Sequence, residues 1–189
     1  MMKRLLSGIT ISLATATSFA AVPTAALRFD TNVRTYGMTS TQNAKVQSAE
    51  RKIIKVIGSE EFRRRILNHR YGGRLAFNNN NGLTNAQIYQ KILDAAEKYK
   101  LTKNNTMDLN VKTYYQNSNV VGYTTTSSIY INMNTKYLNQ YTANEVATNM
   151  THEWLHKLGF GHAVSYSTSR NYSVPYAVGK IMGELARKY

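Results

Sequence analysis

The sequence predicts an α+β fold: a small sheet, mostly antiparallel or mixed, with helices before it, a polar-faced helix after it and a C-terminal helix. Three observations predict it. Runs rich in β-forming residues cluster at Met107 to Tyr115, Val120 to Thr124 and Ile129 to Met133. Helical spacing of apolar residues precedes them in Thr41 to Ile57 and in Asn85 to Lys98. A capped amphipathic segment from Thr142 to Leu158 follows, and Pro175 to Lys188 reads as a last helix with Pro near its start.

The chain opens as an address. Met1-Met2-Lys3-Arg4 is basic, Leu5 to Ala20 is mostly apolar or small, and Ser18-Phe19-Ala20 has the small-x-small form of a cleavage point. Thr24-Ala25-Ala26 is an alternative. Residues 1–20 therefore read as a signal peptide, too short and too broken by Ser, Thr and Gly to anchor in a bilayer. The expected destination is secreted or periplasmic, with no transmembrane segment in the mature chain. Removing 20 residues from 189 leaves 169, enough for one compact domain.

Residues 21–82 read as an N-terminal helical region, either integral to the domain or a removable prosegment. After the helix Thr41 to Ile57, Gly58-Ser59 interrupts, and Ser59 caps a shorter helix through Leu67. Tyr71-Gly72-Gly73 is a turn, Arg74 to Phe77 a short strand and Asn78 to Gly82 a loop. That loop offers amides without carboxylates, which excludes a calcium site of the usual kind. Residues 83–189 form the expected core. Thr84 caps the helix Asn85 to Lys98, with Ile88, Ile92, Leu93, Ala96 and Tyr99 on its buried side. Turns at Asn117-Ser118-Asn119 and Thr125 to Ser128 separate the three strands.

The segment after the strands carries the chemistry. Thr142-Ala143-Asn144-Glu145 has the form of a capping box. At about 100° per residue, Val146, Ala147, Met150, Trp154 and Leu158 share one face, and Glu145, Asn149, His152, Glu153 and His156 share the other. His152 to His162 reads HExxHxxGxxH and holds three of the chain's four histidines. His152 and His156, four apart, project from one side of a helix and can grip one ion. Gly159 can end the helix in a left-handed conformation, and His162 can then supply a third nitrogen. Three protein ligands leave zinc an open position for water, and Glu153 is placed to take that water's proton. His69, alone beside Arg70 and Tyr71, reads as a packing or surface histidine.

The motif resembles the zinc-binding signature of the metzincin metallopeptidases. The resemblance implies a metzincin-like zincin fold with a zinc-binding active-site helix. It implies one catalytic zinc on His152, His156 and His162, Glu153 as general base, and a protein or peptide substrate. In that family the strand shortly before the helix lies at the sheet edge and pairs with extended substrate. Here Val121-Gly122-Tyr123 is the candidate, so Gly122 and Tyr123 are candidate substrate-binding residues, an interior strand being the alternative. Metzincins also carry a methionine in a tight turn beneath the zinc. Met182 is the only methionine after His162, but it falls within the last helix. Either Met182 is reached by an unusual path, or Val174 or Pro175 stands in its place, and Tyr176 could then approach the metal or an oxyanion.

Composition narrows the alternatives. With no cysteine, thiol catalysis and disulfides are excluded. Net charge is +14, much of it in Arg51-Lys52, Lys55, Arg63-Arg64-Arg65, Arg70 and Arg74. That excess reads as a solvated face, or as attraction to an anionic surface or an acidic substrate. No RNA-binding aromatic motif or zinc-finger spacing is present, so no nucleic-acid partner is expected. The leading expectation is a secreted zinc metalloendopeptidase. A catalytically silent zinc-binding protein and a cationic envelope-binding protein are the alternatives.

Overall fold

Thr31, Val33 and Thr35 alternate with more exposed neighbours, the period-two pattern of a strand with one face inward. Asp30–Tyr36 is β1, in a computed structural model that describes residues 28–189. The expected signal peptide lies outside the described residues. β1 pairs in parallel with β4 (Thr106–Tyr114), Asp30 opposite Thr106 and Tyr36 opposite Lys112. The helical reading of residues 21–82 is thereby corrected, since part of that region is a strand of the sheet.

Thr39 caps α1 (Ser40–Ile57) through a full capping box with Gln42. Val46, Ala49, Ile53, Val56 and Ile57 are buried along α1. Each large aliphatic among them contributes about 1.5–3 kcal/mol of transfer free energy. Ser59 caps α2 (Glu60–Leu67), and β2 (Arg70–Tyr71) folds back on β3 (Arg74–Leu75) across Gly72-Gly73. Thr84 caps α3 (Asn85–Asp94), which stops four residues short of the expected Lys98. Ala95 takes a left-handed conformation, φ 48° and ψ 39°, because the chain must turn inward to bury Glu97. The Glu97 carboxylate accepts from the Trp154 indole at 2.8 Å and from the Asp108 amide at 3.1 Å.

The main sheet runs β1-β4-β6-β5, with β5 at Gly122–Tyr123 and β6 at Tyr130–Asn134. β4 and β6 are parallel, and β5 is antiparallel to β6. The sheet is therefore mixed, and the mostly antiparallel option does not hold: two of its three pairings are parallel. Long crossovers make those parallel pairings possible. A short helix, α4 (Thr135–Leu138), has no counterpart in the sequence reading. α5 (Ala143–Lys157) follows, then a 3₁₀ turn at Thr168–Tyr172 and α6 (Val174–Ala186).

α5 packs on α6 and on α1, and both α1 and α5 lie against the sheet. The contact with α6 is close because a Cβ on Gly183 would stand 2.2 Å from Thr148 Oγ1. Among the described residues no helix is long and apolar enough to cross a membrane.

Candidate metal centre

α5 is built to hold its polar face still. Its buried side, Val146, Ala147, Met150, Trp154 and Leu155, is fully packed, so rotation about its axis would expose that apolar surface. His152, Glu153 and His156 therefore keep their direction toward the cleft. Gly159, at φ 90°, ends the helix. The Phe160 amide donates to Leu155 at 3.1 Å and the Gly159 amide to His156 at 2.9 Å, the bond pair of a Schellman motif. The chain turns there, and His162 comes back over α5.

The result is three converging rings. The Nε2 of His152 is 3.2 Å from that of His162 and 3.3 Å from that of His156. The other ring nitrogens are already committed. His156 Nδ1 donates to the Phe160 carbonyl at 2.8 Å, and His162 Nδ1 donates to the Ala163 carbonyl at 2.9 Å. The Pro175 carbonyl hydrogen-bonds His152. In neutral rings the proton then sits on the outer nitrogen, and every Nε2 turns a lone pair inward. Lone pairs this close repel unless a cation lies between them. The three histidines are close enough to bind one metal ion, and their tautomers suit it.

The electrostatics agree. Burial, then repulsion from His156 and His162, pushes His152 down to about 3. Burial likewise lowers His156 and His162, so all three remain uncharged and available as ligands near neutral pH. Glu153 is 4% exposed, and burial pushes its carboxyl up to about 7 against the opposing pull of Lys157. Positive charge at the histidines would draw it back down.

The expected histidines, Glu153 and the three candidate substrate-binding residues line one cleft of about 1380 Å³: His152, Glu153, His156, His162, Gly122, Tyr123 and Tyr176, whereas Val174, Pro175 and Met182 do not. β5 is the edge strand of the sheet, not an interior one. Gly122 admits it this close to α5, since a Cβ there would stand 2.9 Å from Asn149 Oδ1 and 3.0 Å from the Asn132 carbonyl oxygen. The Tyr176 ring, in the first turn of α6, packs edge-on against His152 at 4.6 Å and His162 at 4.7 Å between centroids. Pro175, Tyr176 and Gly179 are thus the residues of α6 nearest the histidines. Met182 is fully buried six residues further on, about 9 Å along the helix axis.

Two residues of the site carried no recognised signal. Lys157 follows His156 yet is fully buried, its ammonium donating to Thr124 Oγ1 and Ser128 O on the β5–β6 connection and to Tyr130 O at the start of β6. Its spacing of three from buried Trp154 places it on the packed face, which was the available clue. Arg170, from the 3₁₀ turn, lays its guanidinium 4.5 Å from the Tyr176 ring centre and donates to the Val164 carbonyl at 2.9 Å. Nothing in the local sequence marks it. His69 is half-buried and stacks on Phe77 at 4.0 Å, as a packing histidine would. Compared with models of known protein families, with curated protein sequences and with solved structures, the chain matches none.

Proposed function

We propose that this chain is a secreted zinc endopeptidase, with one zinc on His152, His156 and His162 and with Glu153 as general base. The observation that carries the reading is the convergence of three imidazole nitrogens, 3.2 and 3.3 Å apart, in a cleft that Glu153 also lines. Nitrogens about 2.0–2.1 Å from a tetrahedral zinc stand about 3.3–3.4 Å from one another, so the spacing suits that ion. Three histidine ligands leave a fourth position open. Zinc, when bound, supplies Lewis acidity toward a carbonyl and a water.

The remaining steps belong to the protein. Glu153 accepts the proton of the attacking water on its carboxylate and passes it to the leaving amine. The free edge of β5 offers backbone donors and acceptors to an extended peptide, so part of the affinity is common to all sequences. The contact of Tyr176 with His152 and His162 supports its hydroxyl as a donor to the oxyanion.

The test is cleavage of an unfolded protein such as casein. The zinc-loaded chain should cut it, and a chelator should stop the reaction. Glu153→Gln should keep zinc and lose about a hundredfold or more of the rate. Zinc binding without cleavage in the parent chain would favour the catalytically silent alternative. Equal rates for parent and Glu153→Gln would remove Glu153 as the base.

A further inference from the structure

α2 carries Arg63-Arg64-Arg65, and β2 opens at Arg70. Arg64, Arg65 and Arg70 line one recess of about 640 Å³, together with Lys180 of α6 and a single carboxylate, Glu184. That carboxylate is already engaged. Arg65 donates to one oxygen, and Lys180 stands 3.9 Å from the other. Four cations against one neutralised acid leave the recess strongly positive.

The recess adjoins the cleft that holds the histidines. Tyr176, Lys180 and Glu184 line both, so the two lie on either side of one row of α6. Arg170 continues the positive run to the centre, since it lines the cleft and lies over Tyr176. Not every basic residue joins in: Lys52, on α1, instead donates to the Ala186 carbonyl at 3.0 Å. The cations that converge are those next to the cleft.

We infer that the recess selects acidic substrates: a peptide in the cleft places Asp or Glu side chains, on the α6 side of the scissile bond, against Arg64, Arg70 and Lys180. This rests on the endopeptidase reading. A concave site beside the cleft admits side chains of an extended chain that crosses α6, whereas the plane of a bilayer cannot enter it. Cations gathered along a groove focus their field and raise the local concentration of an anionic ligand.

The test uses two pairs of peptides, identical except for Glu or Gln in the N-terminal or the C-terminal half. Binding is read by fluorescence anisotropy on zinc-loaded Glu153→Gln, and cleavage is read on the parent chain. In one pair the Glu peptide should bind about five- to tenfold more tightly than its Gln twin at low salt, as two or three exposed charge contacts allow. The advantage should fade near 1 M salt. Arg64→Ala/Arg70→Ala, two exposed positions, should bring the Glu and Gln twins to the same affinity. Cleavage of both twins at equal rates, with equal affinities, would overturn the inference while the endopeptidase reading stands. No cleavage of any peptide or of casein would instead remove that reading. If the double substitution weakens binding to phosphatidylserine vesicles and leaves the Glu and Gln peptides indistinguishable, the recess is a membrane contact and the inference fails.

Discussion

The indole of Trp154 donates to the Glu97 carboxylate at 2.8 Å, fixing α5 to the turn that follows α3. Trp154 is fully buried beside Glu153, so this bond helps set the phase of the helix that carries the histidines. Glu97 is fully buried as well, and burial holds its carboxyl above the ordinary glutamate value of 4.5. A pKa raised by folding contributes stability that is complete below the unfolded value and is lost as pH climbs through the folded one. Glu97→Gln keeps an acceptor for Trp154 and never ionises. The variant's Tm minus the parent's should therefore increase as pH rises above the ordinary glutamate value of 4.5. A difference that stays flat or falls would contradict burial as the dominant cause.

Lys157 ties α5 to the β5–β6 connection, whose residue Thr124 lines the cleft. Lys157→Met keeps the apolar stem and leaves the Ser128 carbonyl without its donor, while the Tyr130 carbonyl still accepts from Thr124 Oγ1 and Ser128 Oγ. The expected loss is about 1–3 kcal/mol, with faster amide exchange across residues 124–130. Unchanged stability and exchange would mean that the lysine does not hold the cleft wall.

Gly159 sits at φ 90°, and a Cβ there would stand 2.7 Å from Lys98 Cε. Gly159→Ala should cost about 1–3 kcal/mol in strain. It should also weaken zinc affinity, because the turn brings His162 back over α5 and supplies the Phe160 carbonyl that orients His156. Chelator competition measures the change. Parent-like affinity would show that the third ligand is placed independently of the turn.

How much of this was legible in sequence follows from where each structural cause resides. α5 was legible because its cap, its periodicity and its glycine stop all lie within eighteen residues, Thr142 to Gly159. The closeness of the three histidines was legible for a similar reason, since His162 lies only three residues beyond that stop. β1 was not: its inward residues are Thr31, Val33 and Thr35, weak apolar signals, and its partner strand begins 76 positions later at Thr106. The end of α3 was hidden because Ala95 is a strong helix former, turned left-handed by the distant demand of Trp154 for Glu97. The cationic recess was half visible. The arginines were evident, but only folding brings α2 and β2 beside Lys180 of α6.

Tyr176→Phe removes one hydroxyl and leaves the ring against His152 and His162. If that hydroxyl donates to the oxyanion, turnover should fall about tenfold or more, with zinc content and KM little changed. Full turnover combined with a lower Tm would assign Tyr176 to packing beneath the site instead.

Native mass spectrometry of the purified chain tests the central claim most directly. The account predicts one zinc per chain, removed by a chelator and absent from His152→Ala/His156→Ala even though that variant stays folded. A parent chain that carries no metal after zinc is supplied, or a double variant that holds zinc as tightly as the parent, would contradict it.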